Sequence, residues 1–323
     1  MSNESVAVQV AIKASEPKND DAGLSLKKMN DASKKRMNKK RALLEKSVEN
    51  VFLIAALIAV VSVVGILFFI LMKGLPAIQE IGLFNFVLGQ KWKPSAELYG
   101  IFPMILTSIY ATAGAIAFGV PVGILTAVFM VEIAPEWLQR IIRPTIELLA
   151  GIPSVVYGFF GLLVFVPIID GIWDNGGNSL LAAIMILGIM ILPTIITVTE
   201  TALRSVPKEY KEGALALGAT HMQTIFGVMV PAAKSGILAA VVLGIGRAVG
   251  ETMAVILVAG NSTLMPTSVL DRVRTMTANI AMEMGYAFGL HQEALFATGV
   301  VLLVFIMLLN ILLSKLTGNT ERS

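Results

Sequence analysis

Long apolar runs alternate with short polar stretches along this chain. The cleanest run, VFLIAALIAVVSVVGILFFILM at 51–72, contains no charged residue. About 20 apolar residues in helical conformation cross the hydrocarbon core of a bilayer. By that measure the sequence predicts six spans, at 50–72, 104–131, 145–169, 179–203, 234–259 and 294–316. The expected fold class is all-α and polytopic, with six transmembrane helices. The first span is not a signal peptide, because about 50 mostly polar residues precede it and no cleavage-like site follows.

This pattern divides the chain. Residues 1–48 read as a basic, disordered tail, 49–72 as the first transmembrane helix, and 73–103 as an extracytoplasmic loop. Residues 104–317 read as a five-helix core carrying a cytoplasmic loop at 204–233, and 318–323 as a short cytoplasmic tail. Composition agrees with a membrane protein: 56% of residues are hydrophobic, 15% are charged, and the mean hydropathy is +0.79. Orientation follows from lysine and arginine. With both termini in the cytoplasm, nineteen basic residues fall on the inner side and five outside. The tail dominates that contrast, which drops to eight against five without it. Its basic stretch KKMNDASKKRMNKKR has no interleaved aromatic residue, so anionic lipid headgroups, not nucleic acid, are its expected neighbour.

The chain has no cysteine and two distant histidines, His221 and His291, so neither a disulfide framework nor a metal centre is expected. No nucleophile–base set or carboxylate pair points to catalysis. A G-x-x-x-x-G-K-[ST] loop is missing from the sequence, so ATP is not bound here in the P-loop manner. No cofactor is expected.

The loop RSVPKEYKEGALALGATHMQTIFGVMVPAAK carries readable local signals. Ser205 is placed to cap a helix with Pro207 in its first turn, and Gly218 to stop it. Thr220-x-x-Gln223 is a capping-box pattern for a second short helix limited by Pro231. Two helices joined by a tight turn are expected to project from the membrane. Leu215, Leu217, Ile225, Phe226 and Met229 would give them apolar faces for another protein.

The spacing of this finger resembles the E-A-A-x-x-x-G, nine residues, I-x-L-P motif of permease subunits of ABC importers. Here Glu212-Gly213-Ala214-x-x-x-Gly218 is followed by nine residues and then Val228-x-Val230-Pro231. Gly213 replaces one alanine, and valines replace isoleucine and leucine. The resemblance extends to GRAVGETMAV at 246–255, IELLAGIPSVVYGFFGLLVFVP at 146–167 and YGIFPMILTSI at 99–109, which are similar to the phosphate-specific permeases, PstC type. It covers most of 73–316 and excludes the basic tail. The resemblance implies a type I ABC importer permease fold in the bacterial cytoplasmic (inner) membrane. It also implies a path for inorganic phosphate shared with a second, PstA-like permease, two copies of a PstB-like ATPase docked on the finger, and an extracytoplasmic PstS-like binding protein. The coupling residues it implies are Glu212, Gly213, Ala214, Gly218 and Pro231. A permease for another oxyanion or small solute is the alternative within this class. From a different class, a secondary transporter would call for a coupling-ion site and broken helices in inverted repeats, and no internal repeat is visible. A membrane scaffold would leave Arg247 unexplained.

Arg247 and Glu251 stand one helical turn apart in the fifth span, in otherwise apolar or small sequence. A charge at the middle of a transmembrane helix costs about 2.5–3.5 kcal/mol on insertion scales, so it is expected to face the bundle interior or a wet path. Two readings stay open. One is a structural ion pair; the other is a guanidinium fork offered to a passing phosphate and held by Glu251. Glu147, about a turn inside span three, is a further candidate for the substrate path, with Arg143 or Arg204 as expected partner. Glu132 and Glu200, at the cytoplasmic ends of spans, are expected to pair structurally. Gly119 and Gly123, like Gly246 and Gly250, are spaced for close helix approach. Pro121, Pro153 and Pro193 are expected to interrupt spans, with the sharpest bend at Gly151-Ile152-Pro153-Ser154.

Overall fold

The computed structural model describes residues 20–318, with side chains from Glu45 to Leu312 and at Lys315. The first 19 residues of the basic tail and residues 319–323 lie outside the described residues. Residues up to Leu67 form one unit and those from Phe68 a second. Helix α1, Asp20–Ile81, starts inside the segment expected to be a disordered arm. Lys, Arg, Met, Leu, Ala and Glu dominate that stretch, and all are good helix formers. Its apolar part, Glu45–Ile81, has a mean hydropathy of 3.1, the highest of the spans.

The second unit opens with α2, Leu83–Leu88, and a small hairpin of β1, Trp92–Lys93, and β2, Leu98–Tyr99, paired so that Trp92 faces Tyr99. Helix α3, Phe102–Val128, runs on through a π turn at Phe129–Ile133. Helix α4, Glu136–Gly151, precedes α5, Ser154–Phe160, which continues through a π turn into α6, Val166–Trp173. Helix α7, Leu180–Arg204, leads into the finger of α8, Lys208–Ala216, and α9, His221–Thr224, followed by α10, Val230–Ala232. Helices α11, Lys234–Gly250, α12, Met253–Val258, α13, Met276–Glu283, and α14, Leu290–Gly318, complete the chain.

Among the described residues, five helices are long and apolar enough to span: Glu45–Ile81, Phe102–Ile133, Ser154–Trp173, Leu180–Arg204 and Leu290–Leu312. The fifth expected span, 234–259, is not one continuous helix. His221–Ala232 and Lys234–Gly250 meet at a 69° bend, and the helix stops again after Gly250. Helix α7 is the central one, with 56% of its apolar window buried against 22–33% for the other second-unit spans. Its isoleucines fill the spaces glycines leave. A Cβ on Gly119 or Gly123 would come within 2.7 Å of Ile191 or Ile195, and one on Gly244 within 3.1 Å of Ile195. Helices α3 and α11 therefore both seat glycines on the same isoleucine ridge of α7. Gly246 and Gly250 behave otherwise. Nothing lies within 4 Å of where their Cβ would be, so they bring no helix of this chain close.

Two of the expected interruptions are not found. Pro121 and Pro193 sit inside continuous helices, their ring positions accommodated without a break. The chain does break at Ile152-Pro153, both extended, as a proline preceded by a non-helical residue requires.

At the hairpin end of the bundle, Glu283 gathers four elements. Its Oε1 accepts from Arg274 Nη1 at 2.6 Å, and its Oε2 accepts from Trp92 Nε1 at 2.9 Å and lies 2.8 Å from His291 Nε2. Trp92 stacks edge-on against Tyr99 and His291. Burial pushes the Glu283 carboxyl up, but hydrogen bonds from Trp92, His291 and Arg274 and the Arg274 charge outweigh it, leaving the pKa below its ordinary value of 4.5. A folded-state pKa below the unfolded one contributes stability above pH 4.5 that is lost as pH falls through the folded value. Glu283→Ala strands a buried guanidinium and an indole N–H, so it should cost about 3 kcal/mol. Thermal unfolding in detergent at pH 7 checks this. It should also show the wild-type advantage over Glu283→Ala shrinking in acid, and an equal midpoint for the two proteins at pH 7 would refute the account.

Candidate functional site

Helix α11 starts at the finger end, and a rise of about 1.5 Å per residue places Arg247 roughly 20 Å along it. The helix then ends. Glu251 is extended (φ −68°, ψ 132°), Thr252 follows, and α12 begins at Met253. The expectation of one helix through 259 with an i,i+4 pair is thus corrected: Arg247 and Glu251 form no ion pair among the described residues. The Glu251 carboxylate instead turns forward and accepts from Ala254 N–H at 3.0 Å, holding an orphan donor of the next helix, while its carbonyl accepts from Thr277 Oγ1 at 3.0 Å. Once φ/ψ leave the helical region at Glu251, the two side chains no longer share a face.

That leaves Arg247 half-buried with its Nε enclosed and without a hydrogen-bond partner. A buried polar group of this kind is expensive, and in native structures it marks a ligand, a water or a strained functional group. The exposed edge of α11 beside it is Leu243, Gly246 and Gly250, two glycines and one leucine, so little side-chain bulk stands there. Tyr157 lies within electrostatic reach of Arg247, its hydroxyl donating to the Leu149 carbonyl at 2.7 Å and so bridging the break between α4 and α5.

Glu147 is placed elsewhere. It lies on α4, before the break at Pro153, and so outside the span. Helix α4 packs Ile142 and Ile146 inward and leaves Trp137, Ile141 and Leu148 exposed, an amphipathic helix at the finger end. Glu147 is exposed and has no hydrogen-bond or ion-pair partner among the described residues. The carboxylate that takes its expected partners is Glu200, which receives Arg143 from α4 and, at 3.0 Å, Arg204 Nε from its own helix. Arg204 also reaches Gln139 at 3.3 Å. Glu132 pairs with Lys211 at 2.5 Å, so both span-end carboxylates are structural partners as expected.

The finger has the expected form with shifted boundaries. Ser205 closes α7, and Pro207, not Ser205, caps α8, which ends at Ala216. Gly218 adopts φ +88°, and two backbone bonds, Gly218 N–H to Leu215 and Ala219 N–H to Ala214, close the helix in a Schellman turn. The Thr220–Gln223 capping box is complete. Glu212 and Gly213 are exposed on α8, Ala214 is partly buried, and Pro231 sits just before the 69° bend. Of the five apolar candidates, Leu217 (92%), Phe226 and Leu215 are exposed, together with Tyr210 and Met222. Ile225 and Met229 are instead buried against Val128 and Leu203, because the π turn over 225–229 rotates them toward the bundle.

The match to known proteins is extensive. Residues 119–321 fit the model for the binding-protein-dependent transport system inner membrane component family. The chain belongs to that family. It is 43% identical over 271 residues to the probable ABC transporter permease protein YqgH of Bacillus subtilis, covering 80% of this chain and 88% of that one. It is 37% identical to the phosphate transport system permease protein PstC of Haemophilus influenzae, covering 71% and 79%, and 35% identical to PstC of Mesorhizobium japonicum, covering 79% and 84%. Two solved structures share the fold. One is the MetNI methionine ABC transporter facing inward (TM-score 0.52, 21% identity, 68% of this chain and 94% of that one). The other is a bacterial ABC transporter that imports alginate (TM-score 0.52, 16% identity, 80% and 98%). The type I importer permease fold is therefore observed, and the chain is a multi-pass inner-membrane permease subunit. It is not itself an enzyme: ATP is hydrolysed on a separate chain. Membership implies a second permease, an ATPase and a binding protein as partners, and it removes the secondary-transporter alternative.

Proposed function

We propose that this permease passes inorganic phosphate into the cytoplasm, as the PstC-type half of a pair with a PstA-like subunit, powered by two PstB-like ATPases and fed by a PstS-like binding protein. The observation that carries the reading is Arg247: a half-buried guanidinium whose enclosed Nε has no hydrogen-bond partner, in the last turn of a broken helix. A planar fork of donors matches a tetrahedral oxyanion bidentately. The relatives named as phosphate permeases support the same cargo. Both termini are read as cytoplasmic, which puts the finger on the ATPase side and the hairpin on the side of the binding protein.

Reconstitution of the four proteins in vesicles tests it. Radiolabelled phosphate should accumulate with ATP and the binding protein present, and excess sulfate or molybdate should compete weakly. Equal competition by sulfate would move the assignment to another oxyanion.

A further inference from the structure

One residue of α3 holds both helices of the finger. Glu132 lies in the π turn that ends α3, and its Oε2 accepts from Lys211 Nζ of α8 at 2.5 Å. Its backbone carbonyl, one of the groups that a helix end leaves unsatisfied, lies 3.1 Å from Nε2 of His221, the first residue of α9. The Glu132 side chain is only 3% exposed, so without Lys211 it would be a buried charge with no counter-ion. The contact continues inward through packed side chains. Helix α3 seats Gly119 and Gly123 on Ile191 and Ile195 of α7, and Gly244 of α11, three residues before Arg247, rests on the same Ile195. Rigid helices meeting through interlocked side chains transmit displacement because packed cores repack in steps rather than deform smoothly.

We propose that Glu132 is the positioning residue through which displacement of the finger reaches span two, and through the isoleucine ridge the Arg247 helix. This rests on the reading of the finger as the contact for the ATPase. The pairing of Lys211 with Glu132 fixes the finger to α3, so the stroke of the ATPase moves the helix rather than bending the loop.

The assembled importer in vesicles tests it by three readouts: ATPase retained on purification, phosphate transported, and ATP hydrolysed per phosphate. Glu132→Gln and Lys211→Met should each keep the ATPase in wild-type proportion while ATP hydrolysed per phosphate rises on the order of tenfold. The double variant should be no worse than either single one, because one link is cut only once. Glu132→Asp, which keeps the charge, should fall between Glu132→Gln and wild type. An unchanged ratio in Glu132→Gln, additive losses in the double variant, or loss of the ATPase from Glu132→Gln would each overturn the proposal. Failure of the underlying finger reading shows separately, as an ATPase that stays attached when the Gly218 turn is broken.

Discussion

Arg247→Gln is expected to cut phosphate uptake to near background while leaving the importer assembled, hydrolysing ATP and at least as stable as the wild type. Loss of function and gain of stability come from the same atom. In the folded chain the guanidinium is partly desolvated, and its Nε has no acceptor. Removing the charge relieves that penalty, so the thermal midpoint in detergent should hold or rise. On the proposed reading, the guanidinium donors are the groups that a phosphate oxygen meets during transport. Losing a charge-assisted contact of this kind costs about 2–3 kcal/mol or more at the rate-limiting point of passage, roughly a hundredfold in uptake. Arg247→Lys should retain part of the activity, since an ammonium supplies charge without the bidentate fork.

Glu251 is expected to behave differently from a counter-ion. Glu251→Gln keeps an oxygen for the Ala254 N–H and should change stability little, whereas Glu251→Ala removes the acceptor and should cost about 1 kcal/mol, as loss of a helix cap does. The double variant Arg247→Gln with Glu251→Gln is the sharpest case, because it removes both charges at the helix break. Normal phosphate uptake by that protein would mean Arg247 is packing material only.

The spans were legible because lipid demands about 20 apolar residues and the sequence supplies them in blocks. The break at Gly151-Ile152-Pro153 was legible for a local reason as well, since the residue before proline resists helical ψ. The break at Glu251-Thr252 was not. GETMAV contains no proline, and what ends α11 there is a carboxylate turning forward to Ala254 and a carbonyl held by Thr277, 26 residues on in sequence. Helix α4 was divided between a loop and a span because the apolar period of Trp137, Ile141, Ile146 and Leu148 runs straight into the next apolar block. That division is why Glu147 was read as intramembrane and given the arginine partners that Glu200 takes. The Glu283 cluster was missed entirely. A lone acid in NIAMEM was its only local signal, and its partner Trp92 is 191 residues away.

Breaking the turn at Gly218 is expected to detach the ATPase from an otherwise intact permease. Gly218 holds φ +88°, a region that costs an L-residue roughly 1–2 kcal/mol and that proline, fixed near −65°, does not enter. Gly218→Pro also deletes the N–H that donates to Leu215, so the Schellman closure opens and α9 loses its placement relative to α8. The glycine itself packs against no span. No atom lies within 4 Å of the Cβ position at Gly218, so the insertion, expression level and thermal midpoint of the spans should stay near wild type. The displaced surface is the outward one: Leu217 next to it is 92% exposed, and Tyr210, Met222 and Phe226 are exposed around it. A graded series separates conformation from bulk. Asparagine tolerates positive φ better than alanine, and alanine better than proline. ATPase retained on purification, and phosphate uptake with it, should therefore fall in the order Gly, Asn, Ala, Pro, although asparagine is larger than alanine. If Gly218→Asn loses the ATPase more completely than Gly218→Ala, the turn matters for its size and not for its left-handed backbone. If Gly218→Pro keeps both the ATPase and uptake, the finger is not the coupling element.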